Sequence, residues 1–155
     1  MADIALRFES ARSGDLAMDG RDLARDDGLE TAALLSLFTD RRATVEQLPT
    51  GFDLRDLRGW WGDSVAEVTG DQFGSLLWTL AREKQTTETL AKARGYVEQA
   101  LAWMVEDRVT GQVSVATQYV ARGVMRIDVE IERPQGVRIQ YRFDYEWAGQ
   151  AARAG

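Results

Sequence analysis

The last third of the chain alternates apolar and polar side chains in three successive stretches, and this pattern constrains the fold more than any other feature. Val113, Val115, Thr117 and Tyr119 alternate with Gln112, Ser114, Ala116 and Gln118. Met125, Ile127, Val129 and Ile131 alternate with Arg126, Asp128, Glu130 and Glu132. Val137, Ile139, Tyr141, Phe143, Tyr145 and Trp147 alternate with Arg138, Gln140, Arg142, Asp144 and Glu146. A period of two places successive side chains on opposite faces of a strand, so each stretch offers one apolar face. Three such strands in a row predict an antiparallel meander laid on helices. Pro134, Gln135 and Gly136 suit a three-residue hairpin loop with Gly136 in the left-handed region. That loop sets Arg133 opposite Val137, and hence Ile131 opposite Ile139 and Val129 opposite Tyr141. On the outer face it sets Glu132 opposite Arg138, Asp128 opposite Arg142 and Arg126 opposite Asp144. Three opposite-charge pairs follow from a register chosen on turn chemistry, which supports the register and reads the charges as a solvated sheet face.

Helices must cover that sheet. Thr86 and Thr87 introduce a helix from Glu88 to Asp107, whose main stripe is Leu90, Ala93, Val97, Leu101 and Met104. Tyr96, Ala100 and Trp103 widen the apolar arc past half the circumference, so a second contact surface is expected, either an earlier helix or another chain. Gly95 in its middle costs about 1 kcal/mol relative to alanine and is tolerable where another backbone packs close. The earlier helix runs from Leu29 to about Thr39, with Asp27 and Glu30 placed as a capping box. Its apolar residues surround the axis and Glu30 is its only charge. Such a helix is either central to the core or shares its surface with a partner. Upstream, Ile4, Leu6 and Phe8 alternate as a strand, and Leu16 to Met18 is placed to pair back.

Between the helices lies a long connection, Asp40 to about Asp63, punctuated by Pro49, Gly51, Gly59 and Gly62. Loops of this length inside one domain are usually functional or disordered. It ends in the run RGWWGD, Arg58 to Asp63. Adjacent tryptophans cannot point the same way in extended backbone. One of Trp60 and Trp61 is therefore expected to plug the core while the other faces a neighbour, or both anchor the loop. Gly74 to Glu83 reads as a short helix or buried turn. The elements together predict an α+β fold. It comprises an N-terminal strand or hairpin, two main helices, a long Trp-containing loop and a C-terminal three-stranded antiparallel meander. A single domain over residues 1–147 and a flexible tail over 148–155 are expected.

Composition limits the chemistry. The 155 residues contain no cysteine and no histidine, which removes disulfides, thiolate nucleophiles, imidazole zinc ligands and Ser-His-Asp triads. No glycine-rich phosphate cradle occurs, so no cofactor is expected. A net charge of −6 argues against nucleic acid as a partner, since phosphate binding draws on clustered Lys and Arg. No apolar run has the length of a membrane span and the start lacks a signal peptide's basic region, so no membrane partner and cytosolic synthesis are expected.

Several segments carry a family resemblance: DIALRF at Asp3–Phe8, DDGLETA at Asp26–Ala32, LFTDRR at Leu37–Arg42, RGWWGD at Arg58–Asp63 and the stretch Trp78 to Lys84. In this order, from Asp3 to about Trp147, they resemble the baseplate wedge proteins of Mu-like phages. Those proteins are similar to the T-even baseplate wedge protein that starts sheath assembly. The T-even hallmark is a Glu-Pro-Arg triplet where the second long helix ends. Here Glu106 and Arg108 match it, and Asp107 stands in place of the proline. The resemblance implies a structural, non-enzymatic subunit of a contractile tail baseplate, assembled in the host bacterial cytoplasm and carried in the virion. It implies six copies per baseplate, with other wedge proteins, tail tube or hub proteins and tail sheath protein as partners. The partner-binding candidates are Trp60, Trp61, Tyr96, Trp103, Glu106 and Arg108, with Ser114, Ala116 and Gln118 on the first sheet strand. That strand carries no charge or proline on its outer face, guards that edge strands usually have. Its edge is either covered by the N-terminal strand or left open to accept a strand from another subunit. Two rivals remain. A lysozyme-like peptidoglycan hydrolase would need two carboxylates across a cleft, from candidates such as Glu83, Glu88 and Glu106. A cell-wall-binding module would stack sugars on Trp60 and Trp61.

Overall fold

The structure is a computed structural model that describes residues 28–66, 72–81 and 83–146, together with the backbone of short strands between Asp3 and Asp26. Those short strands are β1 (Asp3–Ile4), β2 (Leu6–Ser10), β3 (Ser13–Leu16), β4 (Met18–Asp19), β5 (Asp22–Leu23) and β6 (Arg25–Asp26). Among the described residues they pair with one another, antiparallel, as β1 with β6, β2 with β3 and β4 with β5. The facing of Ile4, Leu6 and Phe8, and the expected tail over 148–155, lie outside the described residues. Two helices follow, α1 (Leu29–Phe38) and α2 (Thr87–Glu106), and then β7 (Gln112–Ala121), β8 (Val124–Glu132) and β9 (Arg138–Glu146).

The last three strands form an antiparallel sheet in the order β7-β8-β9. Its second hairpin has the register expected from turn chemistry: Ile131 faces Ile139, Val129 faces Tyr141, Glu132 faces Arg138, Asp128 faces Arg142 and Arg126 faces Asp144. Gly136 takes φ 83°, where a Cβ would strain the backbone. Its N–H donates to Arg133 O and the Arg133 N–H donates to Val137 O, both at 2.8 Å, which closes the loop. The outer-face charges are paired. Arg126 donates two hydrogen bonds to Asp144 at 2.8 and 3.0 Å, and Arg142 Nε reaches Asp128 at 2.6 Å. The Arg126 hydrogen bonds hold the Asp144 carboxyl below its ordinary value. On the inner face Met125, Ile127, Val129 and Ile131 are fully buried, making central β8 the floor of the core.

Both helices lie on that inner face. α2 covers β7, and the contact is fixed by hydrogen bonds from Thr117 Oγ1 to Leu90 O and from Tyr119 OH to Thr86 O, each 3.0 Å. Thr86 caps α2 by accepting from the Thr89 N–H. Ala93, Val97, Leu101 and Met104 of the expected stripe are buried, with Leu90 packed beside them. α1 covers β9 through Phe38, whose ring meets Phe143 edge-on at 6.0 Å and stacks on Tyr145 at 6.3 Å. The two helices are joined where Trp103 Nε1 donates to Ser36 Oγ at 3.0 Å. The wide apolar arc of α2 therefore meets α1 and the short 3₁₀ segment Leu77–Leu80 of its own chain.

Two local expectations are corrected, and one pair of alternatives is decided. α1 begins with Gly28 at its N-cap position, left-handed at φ 82°, whereas Asp27 lies outside the described residues. The core, not a partner, takes most of the circumference of α1, and Leu35, 42% exposed, is the one large apolar residue left outside. Among the described residues, no atom outside the helix's own nearby backbone lies within 4 Å of a Cβ built at Gly95, so no described backbone packs there.

Candidate partner-binding surfaces

The connection from Asp40 to Asp63 is built around a tryptophan that the pairwise reading of Trp60 and Trp61 passes over. Trp78 is 5% exposed and forms a small second core with Ala43 and Leu76, against which Leu48, Phe52 and Tyr96 pack. Its indole N–H donates to Arg41 O at 2.8 Å. The Arg58 guanidinium lies 4.5 Å above its ring while bonding Asp40 at 2.6 Å, a cation–π contact combined with an ion pair. Backbone hydrogen bonds from Arg41 N to Ser75 O, Ser75 N to Thr39 O and Ala43 N to Leu57 O tie the loop down. Trp78, not Trp60 or Trp61, is the plug.

Freed from that role, Trp60 and Trp61 sit on the outside. Trp60 is 41% exposed and Trp61 77% exposed. Trp60 rests against Phe73, with ring centroids 5.4 Å apart, and against Trp61 at 5.5 Å. Gly62 lies buried under the Trp60 ring, where a Cβ would come within 2.2 Å of it. The second glycine of RGWWGD is thus required by the resting place of the ring. Asp63 finishes the turn by accepting the Phe73 N–H at 3.0 Å.

The Trp60–Trp61 turn faces the end of α2 across a groove of about 500 Å³. Val65, Ala66 and Phe73 line the loop side, and Trp103 and Asp107 line the helix side. Three of the candidates, Trp60, Trp61 and Trp103, therefore share one surface. Phe73 and Asp107 complete it. Phe73 stands ten residues beyond Asp63, and only the folded hydrogen bond between them brings it in, so spacing gave no signal. Tyr96 is half-buried between the two cores and belongs to the interior.

The end of α2 explains Glu106 and Arg108. Val109 N–H donates to Met104 O at 2.8 Å and Arg108 N–H to Val105 O at 3.1 Å. This is the hydrogen-bond pattern of a Schellman stop, in which the left-handed position is usually glycine. Here Arg108 occupies it at φ 58°. A non-glycine residue there costs about 1–2 kcal/mol. Glu106 is exposed in the last turn, and no basic residue lies in that turn.

Ser114, Ala116 and Gln118 form a separate surface on the outer face of β7, opposite Glu130, Asp128 and Arg126. Ser114 and Ala116 border a shallow concavity of about 630 Å³ floored by β8 and β9. β7 is an outer strand of the sheet, and no described strand pairs with its free edge. The carboxylates that a hydrolase would need are scattered. Glu83 pairs with Lys92 at 3.6 Å. Glu88 and Glu106 stand at opposite ends of α2, about 27 Å apart at the rise of a helix, far beyond the separation of a glycosidase pair. Among the described residues no group of three or more acids is arranged to hold a metal ion.

The described residues define an α+β domain of two helices on a three-stranded antiparallel sheet, with an exposed aromatic groove and a strand edge that no described strand pairs with. Comparison with known proteins gives the family. The model of the family described as phage protein GP46 matches residues 29–138. Baseplate protein gp46 of Escherichia phage Mu is 41% identical over 150 residues, covering 96% of this chain and 99% of that one. Mu-like prophage FluMu protein gp46 of Haemophilus influenzae is 38% identical over 148 residues, with 96% and 99% covered. The chain belongs to the GP46 family of phage proteins.

Proposed function

We propose that this chain is a non-enzymatic structural subunit of a contractile tail baseplate, a wedge component that works by binding its neighbours. The observation that carries the reading is the exposed Trp60–Trp61 pair, held on a well-packed lobe, in a chain 41% identical to a phage baseplate protein. Tryptophans dominate the energetics of protein interfaces, and a free domain has no folding reason to leave two of them at the surface. The free edge of β7 supports a second contact, in which a strand of the tail sheath protein adds to the sheet and sheath assembly starts there. The outer face of β7, with Ser114, Ala116 and Gln118, carries none of the charges or prolines that discourage such pairing. Other wedge proteins and the tube or hub proteins meet the groove and the end of α2, in six copies around the baseplate.

Particles assembled with a Trp60→Ala/Trp61→Ala chain test the first contact. The variant folds, because neither ring belongs to a buried core, but it is missing from purified tails. Its normal incorporation would refute the reading. For the second contact, Ala116→Pro leaves the wedge intact and sheath fails to polymerise on it. Full-length sheathed tails would show that sheath starts elsewhere.

A further inference from the structure

Resting on the reading that Trp60 and Trp61 face a protein partner, we propose that the groove between their turn and the end of α2 receives an arginine side chain of that partner. Three features call for a cation. The first is aromatic surface. Trp61 is 77% exposed and Trp60, backed by Gly62, is 41% exposed, so indole surface is open to a partner, and an aromatic face attracts a cation. The second is charge. Among the described residues, the charged ones lining the groove are Asp63 and Asp107, and no described cation lines it. Asp63 spends one oxygen on the Phe73 N–H, and no described cation pairs with the exposed Asp107 carboxylate.

The third feature is the helix itself. α2 ends with Glu106 followed by Asp107 at its C-cap, and no basic residue lies in the last turn. The helix dipole places negative potential at this end, which two carboxylates reinforce and a cation relieves. Arg108 follows in the left-handed position but does not line the groove. Arg42 and Arg58 line the adjoining concavity on the other side of Trp60, Trp61 and Asp63, so on the α2 side Asp107, the helix end and the ring faces meet one space without a described counter-charge.

Arginine fits better than lysine, because a planar guanidinium stacks on a ring while its N–H groups bond a carboxylate. The chain uses this pairing internally, where Arg58 lies over Trp78 and bonds Asp40. A volume of about 500 Å³ accommodates such a side chain with part of the segment that carries it.

The test is a titration of the full chain with N-acetyl-arginine amide and with its neutral isostere N-acetyl-citrulline amide, followed by the indole N–H resonances of Trp60, Trp61 and Trp103. Arginine amide shifts them saturably, with a Kd about fivefold lower than citrulline amide, the discrimination expected of a partly exposed cation–π site. Asp107→Asn, whose side chain makes no hydrogen bond or ion pair with a described residue, removes the preference. Equal titration by both probes, no saturable shift with arginine amide, or a preference that survives Asp107→Asn overturns the proposal. If Trp60→Ala/Trp61→Ala blocks incorporation into tails and the arginine preference is absent, the contact face stands and its arginine occupant falls. If that double variant incorporates normally, the contact face falls as well.

Discussion

Replacing Arg108 by glycine should stabilise the isolated protein, although arginine is the residue the fold carries. Arg108 sits at φ 58° in the stop that ends α2, and its backbone N–H is already used by Val105 O. The side chain is exposed and forms no ion pair with a described residue. Relief of the left-handed strain is worth about 1–2 kcal/mol. Against it stands the extra freedom glycine gives the unfolded chain, about 0.5–1 kcal/mol. The balance is a gain of about 0.5–1 kcal/mol. For a chain of this length that raises the midpoint of thermal unfolding by about 1–4 °C. Urea unfolding followed by tryptophan fluorescence measures the free energy directly, and the slope should stay constant because the exposed area hardly changes. A loss of about 1 kcal/mol or more would show that the arginine side chain holds the fold together, and the strain argument would be wrong. If Arg108 is kept for a partner, the stabilised variant should also incorporate less well, the usual cost of removing strain from a functional position.

Gly95→Ala should stabilise α2 by about 1 kcal/mol, since the added Cβ meets nothing within 4 Å; chemical denaturation checks it, and destabilisation would show a hidden clash. Trp78→Ala should cost about 3–5 kcal/mol, while Trp61→Ala changes stability by no more than about 0.5 kcal/mol. Comparable losses from the two would reverse their assignment as core and surface residues. The Asp144 carboxyl is held below its ordinary value by Arg126. Its contribution is therefore complete above about pH 4, the unfolded value, and is lost as pH falls through the lower folded value. The stability difference between the protein and Asp144→Asn should shrink on acidification through that window. A difference that grows instead would contradict the pairing.

The sheet was legible because its information is local. Alternation assigns faces, the loop Pro134 to Gly136 assigns the register, and the Glu132–Arg138, Asp128–Arg142 and Arg126–Asp144 pairs then follow. Helix α2 was legible from its stripe, and its surplus apolar arc from the width of that stripe. What sequence left open was allocation. Periodicity tells that Trp103 and Tyr96 are covered, not by what, and the cover turned out to be α1 and the Trp78 lobe. The long connection lacked any period, because its order comes from Trp78 and from bonds such as Ser75 to Thr39 that span 36 residues. For the same reason adjacency alone leaves Trp60 and Trp61 between a core plug and a loop anchor, and the core role belongs to Trp78. The groove was only half visible, since Phe73 and Asp107 reach it through tertiary structure alone.

A chain built into the baseplate through its exposed surfaces must be found there in finished particles. Electron microscopy of purified tails carrying a gold-labelled chain should show label at the baseplate end, and lose it when Trp60 and Trp61 are both alanine. A chain that stays free of particles as a soluble monomer, with tails assembling normally in its absence, would contradict that placement.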